Sequence, residues 1–132
     1  MANEAVIISL NPNANAIEFT CASGVAIAKG TILKLEDPRT VSASSANSDV
    51  AAGIAAAAKA ANDDATTIAV RVPGSGDVYD LKAGVGITAG ALVSISGANM
   101  IKPATEAEVV TGDVLGKALE TAAANEVIEV LV

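Results

Sequence analysis

Gly24-Val25-Ala26-Ile27-Ala28-Lys29-Gly30-Thr31-Ile32-Leu33-Lys34-Leu35 returns 60 residues later as Gly84-Val85-Gly86-Ile87-Thr88-Ala89-Gly90-Ala91-Leu92-Val93-Ser94-Ile95. Four of the twelve positions are identical: Gly24/Gly84, Val25/Val85, Ile27/Ile87 and Gly30/Gly90. The same offset pairs Val41 with Ile101, and Ile68, Val70 and Val72 with Ile128, Val130 and Val132. Between these anchors Gly53, Ala55 and Asn62 match Gly116, Ala118 and Asn125 at an offset of 63, so the second copy gains three residues before its middle glycine and loses three after it. Two copies are too few for a solenoid. A closed or sandwich-like object with pseudo-two-fold character is the expectation.

The segments within each copy read as strands. Ile32 to Leu35 is apolar and β-branched, and Thr66 to Val72 alternates Ile68, Val70, Val72 with Thr67, Ala69, Arg71. Glu4 to Leu10 reads as a strand or extended arm, and Ile17 to Cys21 as a short strand with Ile17, Phe19 and Cys21 on one face. Asn11-Pro12-Asn13-Ala14-Asn15 is a loop, Asp37-Pro38-Arg39 a turn, and Pro73-Gly74-Ser75-Gly76-Asp77 a hinge between the copies. The alanine-rich run Ala51 to Ala61 favours helix by propensity. Its counterpart in the second copy reads strand, tight connection, strand, so Gly53 to Ala57 is expected to be a strand and Lys59 to Asp64 a loop. Thr105 to Glu108 is expected to form a single helical turn. Short strands with frequent turn signals predict an all-β chain: a small β-barrel or β-sandwich built from two pseudo-repeats, about 24–72 and 84–132. Residues 1–20 supply an N-terminal arm and the first strands, 73–83 the connection, and 1–132 one domain.

Composition narrows the function. The chain has 132 residues, 29 of them alanine, with Phe19 and Tyr79 the only aromatics. Large aromatics usually dominate core energetics, and at roughly 25 cal/mol per Å² of apolar area an alanine-rich core of Val, Ile and Leu is marginal alone. An oligomer or a docking partner would add stability by mass action. Fifteen acids against eight well-separated bases give a net charge of −7, which argues against nucleic acid and against an anionic membrane surface. No stretch approaches a membrane-spanning length, and the start Met1-Ala2-Asn3-Glu4-Ala5 lacks the basic n-region of a secretory signal. Cys21 is alone and reads as a small buried apolar group.

Chemistry is sparse. With no histidine, the commonest general base and metal ligand is missing, and no G-x-S-x-G, GxGxxG or Walker lysine occurs. Asn62-Asp63-Asp64 lacks the alternation of a calcium loop and reads as a solvated tip. Glu106 and Glu108 read as polar surface, Glu36-Asp37 as turn chemistry, and Gly84 and Gly86 as bulges or bends. No enzyme, cofactor or metal is expected. Lys59, near a predicted hairpin tip, invites comparison with lipoyl and biotinyl carrier barrels. Those families flank their lysine with Met, or with Asp and Ala or Val; here Ala58 and Ala60 do so, and an exposed lysine is the plainer expectation.

The ordered set formed by Gly24 to Leu35, Val50 to Ala55, Thr66 to Val72, Leu81 to Val93 and Gly116 to Ala122 resembles the small capsid cement, or decoration, proteins of tailed viruses of bacteria and archaea. The resemblance covers about Ala22 to Val132. It implies a β-barrel-like protein, often trimeric, that docks on the outer capsid surface of the virion, bridges the major capsid protein and reinforces the head. An arm at one terminus commonly contacts the capsid; here that is Ala2 to Asn15, with Val6, Ile7, Ile8 and Leu10 for apolar contact and Asn11, Pro12, Asn13 and Asn15 in a hydrogen-bonding loop. Ile87-Thr88-Ala89-Gly90-Ala91-Leu92 is also similar to SAF-type β-clip modules, so a carbohydrate- or ligand-binding module is the alternative.

Overall fold

The structure is a computed structural model that describes residues 3–132; Met1 and Ala2, the first residue of the expected arm, lie outside the described residues. The two copies fold in the same way, and each closes a barrel of its own. The first barrel uses β2 (Ile17–Thr20), β3 (Ile32–Asp37), β4 (Thr40–Ala43), β5 (Ala51–Ala55) and β6 (Thr67–Arg71). The second uses β7 (Val78–Ala83), β8 (Leu92–Gly97), β9 (Met100–Pro103), β10 (Gly116–Ala118) and β11 (Val127–Leu131). Around the first ring the order is β2-β4-β3-β5-β6, and around the second it is β7-β9-β8-β10-β11. All pairings are antiparallel except the two that close the rings, β2 with β4 and β7 with β9. Closing each ring leaves few bare edges on short strands. The stretch 73–83 is thus more than a connection, because β7 is the first strand of the second barrel.

An eleventh strand, β1 (Val6–Ser9), lies outside both rings. It pairs antiparallel with the first half of β7, opposite Asp80, Tyr79 and Val78, while the second half of β7 pairs with β9.

The alanine-rich run resolves as β5 over Ala51–Ala55, shifted two residues earlier than expected. Backbone closeness explains its glycine. A methyl built on Gly53 would stand 2.3 Å from the carbonyl oxygen of Arg71, and one on its counterpart Gly116 would stand 2.2 Å from that of Leu131. The middle strand of each copy runs against its neighbour too closely for any Cβ, so both copies carry glycine there. At the hairpins, Arg39 (φ 52°) and Asn99 (φ 53°) occupy equivalent left-handed positions after matching irregularities at Leu35/Asp37 and Ile95/Gly97.

The three residues gained by the second copy build α1 (Glu106–Thr111), a longer element than the single turn expected. Thr105 caps it, accepting from the Glu108 amide while the Glu108 carboxylate accepts from the Thr105 amide, and Gly112 ends it at φ 79°. Gly84 is a point of close approach: a methyl there would meet Ser96 Oγ at 2.6 Å.

Two apolar clusters form. Leu33, Val41, Ile68 and Val70 fill the first barrel with Cys21, which is buried as expected. Tyr79, Leu81, Val93, Ile95, Ile101 and Val130 belong to the second cluster, and Ile32 and Ile54 of the first barrel join it from outside. These two side chains pass from one barrel to the other and make the joint apolar. Three hydrogen bonds reinforce it: the Ile32 amide donates to Asn99 Oδ1 (2.9 Å), the Asn99 amide to Ser44 Oγ (3.0 Å), and the Ser48 amide to the Ile95 carbonyl (2.9 Å).

Gly53→Ala and Gly116→Ala are each expected to lower stability by about 1–3 kcal/mol or more, read as a reduced urea midpoint at unchanged m-value. A midpoint unchanged in both would refute the close-approach account.

Candidate docking surface

The arm is held at both ends. At its start the Ala5 amide donates to the Gly30 carbonyl of the first barrel at 2.7 Å. At its end Asn11 is the anchor: its amide donates to Asp77 Oδ1 (2.8 Å), its side-chain nitrogen to the Ser75 carbonyl (2.9 Å), and its Oδ1 accepts from the Asn13 amide (3.0 Å). Asp77 has no exposed surface. Its partner is Arg71, whose Nε reaches Asp77 Oδ2 at 2.8 Å and whose Nη2 reaches Oδ1 at 2.6 Å. The same guanidinium donates to the carbonyls of Ala14 (2.9 Å) and Asn11 (3.3 Å). The Asp77 carbonyl accepts from the Val132 amide (2.8 Å). One bidentate ion pair therefore ties the end of the first barrel, the start of the second and the arm together.

This pair lay beyond the sequence reading, which placed Arg71 on the polar face of a strand and Asp77 in a hinge. One signal was present: Arg71 stands where the repeat has Leu131, a charged residue in a position the other copy leaves apolar. The Arg71 hydrogen bonds hold the Asp77 carboxyl below its ordinary value against the opposing cost of burial, and Asp77 in turn raises Arg71. Burial pushes the nearby Tyr79 phenol up to about 12, so it stays neutral.

Between these anchors, β1 is open. All four of its residues are exposed, Val6 at 58%, Ile7 at 41% and Ile8 at 47%, and Leu10 follows at 40%. Pro12, Asn13 and Asn15 are exposed in the loop, whereas Asn11 is spent on the anchor. The structure thus brings Val6, Ile7, Ile8 and Leu10 together on one fixed edge strand and gives Asn11 a different task from the one expected. A cavity of about 400 Å³ lies between the arm and the first barrel, lined mainly by Ala5, Val6, Ile7, Leu10 and Tyr79 with Arg71 and Lys29. Its guanidinium is already committed to Asp77.

Two further charges are corrected. Lys59 is buried, not exposed; its ammonium donates to the carbonyls of Ala22 (3.1 Å) and Val25 (3.0 Å), closing the loop that begins the repeat. A carrier lysine must reach out from a tip, and this one is turned in. Glu108 is buried as well, not surface: its Oε1 accepts from Lys102 Nζ at 2.7 Å. Burial pushes the Glu108 carboxyl up, but Lys102 and the capping contacts at Thr105 outweigh it and bring the group down to about 2. Asp63 Oδ1 accepts from the Ala65 amide, as a turn residue does. No three His, Cys, Asp or Glu side chains gather as metal ligands among the described residues, and no helix among them is long and apolar enough to cross a membrane.

No family model matches the chain, and no curated protein matches it. Among solved structures, it is similar to the N base of the head fiber gp8.5 of bacteriophage phi29, with a TM-score of 0.56 and 15% identity over 89% of this chain and 93% of that one. At this identity the likeness is one of fold, and it extends over both barrels. That neighbour is a head-fiber base, a different structure from the cement proteins that the order of motifs resembles.

Asp77→Ala is expected to cost about 3–5 kcal/mol, because it strands a buried guanidinium. Acid sensitivity follows from the signs. Asp77 and Glu108 both titrate lower folded than unfolded, so their stabilisation is complete above the ordinary carboxylate range near pH 4 and is lost as pH falls toward 2. Urea midpoints measured from pH 6 to pH 2.5 should fall for the native chain and fall less steeply for Asp77→Asn. Parallel curves would contradict the assignment.

Proposed function

We propose that the chain is a structural virion protein that docks on the outer surface of a viral capsid. It bridges major capsid protein subunits, stabilises the head, and acts there as a homotrimer with no reaction to catalyse. The observation that carries this reading is β1: an edge strand with exposed apolar side chains, fixed at Ala5 and Asn11 so that its shape is set before a partner arrives. An unpaired strand edge is a template for strand addition, and its prepaid order lowers the cost of association. The fold shared with a phage head-fiber base supports a place on the particle. The net charge of −7 suits the outside of a DNA-filled shell, since packaged phosphate would repel it from the interior. The order of motifs resembling cement proteins narrows the role from particle component to head reinforcement.

Purified chain mixed with emptied, expanded heads is expected to bind at a fixed stoichiometry and to raise the temperature at which the heads come apart. Ile7→Asp and Ile8→Asp, which leave the ion pair intact, are expected to weaken binding about tenfold or more each, the scale of one lost buried aliphatic side chain. Native-strength binding by both variants would remove β1 as the contact, and no binding by the native chain would end the capsid reading.

A further inference from the structure

The two barrels are joined head to tail, and the same two faces stand open at the outer ends of the chain. Strand register makes the comparison residue by residue. In the first barrel Ile32 pairs with Ile54, and Ile54 with Arg71; in the second Leu92 pairs with Lys117, and Lys117 with Leu131. Ile32, Ile54 and Arg71 lie under the joint, at 0%, 0% and 9% exposure. Their counterparts on the second barrel are uncovered: Leu92 and Leu131 are each 39% exposed, and Lys117 is exposed. The arm adds a difference of its own: Gly30 and Gly90 share a left-handed φ of 88° and 90°, but a methyl on Gly30 would strike the Ala5 carbonyl of the arm at 2.4 Å, whereas one on Gly90 would meet nothing within 4 Å.

The inserting side shows the complementary pattern. The second barrel pushes Tyr79, Ile95 and Asn99 into the joint, at 2%, 0% and 0% exposure. Register assigns Ile17, Leu35 and Arg39 as their counterparts on the first barrel. Ile17 and Leu35 are 40% and 39% exposed, and Arg39 is exposed. One chain therefore carries one satisfied junction, one vacant inserting face and one vacant accepting face.

We infer that a second copy of this chain fills the accepting face of the second barrel with the inserting face of its own first barrel, repeating the internal junction between molecules. The charges are mixed: Lys117 sits on the accepting face, and on the inserting one Arg39 stands beside Glu36 and Asp37. α1 takes the chain position of the 44–49 loop, whose Ser48 reaches Ile95 across the internal joint, and α1 carries Val109 and Val110 at 45% and 86% exposure. A contact between unlike faces is heterologous, so it closes into a ring of chains or runs on as a filament. The inference rests on the oligomeric part of the proposed function and is independent of the capsid part: a trimer built this way is a ring of six barrels in which internal and intermolecular junctions alternate.

The test uses the full chain in solution without capsid. Sedimentation of the native protein is expected to show a concentration-dependent oligomer. Leu131→Asp, on the accepting face, and Leu35→Asp, on the inserting face, are each expected to yield monomer with a native circular dichroism spectrum. Mixed in equal amounts they are expected to form a heterodimer and nothing larger, because each variant supplies the face the other lacks. Leu92→Asp, on the accepting face, and Ile17→Asp, on the inserting face, replace either aspartate variant that does not fold. A native chain that stays monomeric at its highest soluble concentration overturns the inference. So does an oligomer that survives both substitutions, or a mixture that never forms the heterodimer. Failure to bind heads with the heterodimer result intact would refute capsid docking alone.

Discussion

A charge pair closed away from water holds this architecture together. Arg71 ends the last strand of the first barrel, and Asp77 begins the turn into the first strand of the second. Removing both ions from water is costly, and their attraction offsets that cost only where geometry is good and the remaining donors are used. Here the guanidinium spends its spare donors on Ala14 and Asn11, and the carboxylate takes the Asn11 amide. The pair therefore sets more than a distance. It fixes where the arm leaves the barrel, while the main chain of the same segment holds Val132 through bonds to Asp77 and Gly76. A pair of apolar residues at these positions would pack, but would not engage the Asn11 amide or the Asn11 and Ala14 carbonyls.

The duplication makes the molecule asymmetric by a small number of changes. Both copies keep the glycine of the middle strand, the left-handed hairpin residue and the strand order around the ring. They differ where the barrels meet. Ile32 and Ile54 have Leu92 and Lys117 as counterparts, Arg71 has Leu131, and Asn99 has Arg39. A buried carboxamide can satisfy a backbone amide of its neighbour, as Asn99 does for Ile32, while a guanidinium in the same turn stays in water and lies 5.8 Å over the Phe19 ring. Differences at equivalent positions thus report which surfaces are joined and which are free.

Much of this could be read before the fold was known, and the reasons are local. The repeated glycines marked the turns. Period-two alternation in Thr66 to Val72 marked β6, and the Thr105 to Glu108 spacing marked the start of α1. The preference of the repeat over alanine propensity points to a strand at Gly53 to Ala57, and the strand forms two residues earlier, at Ala51–Ala55. The charged residues are the hardest to place from sequence: Lys59 and Glu108 read as surface, and Arg71 falls on the polar side of its strand's alternation, because charged residues are usually exposed. Each is buried against a partner from another part of the chain: the carbonyls of Ala22 and Val25, the carboxylate of Asp77, the ammonium of Lys102. Nothing in the alternation of a single element announces a partner that lies outside it, even when, as for Arg71–Asp77 and Lys102–Glu108, it is six residues away.

By itself the sequence determined that the chain is made of strands, that it contains one unit twice, and that Val6 to Leu10 carries apolar side chains outside that unit. These follow from turn chemistry and alternation, which act over a few residues. Only the tertiary structure decided that each copy closes its own ring, that unlike faces of the two rings meet, and that the arm is fixed at both ends instead of trailing. Those outcomes depend on ring closure, on a charge pair formed as the two barrels come together and on backbone amides finding acceptors more than fifty residues away, and such contacts come into being only once the chain has folded.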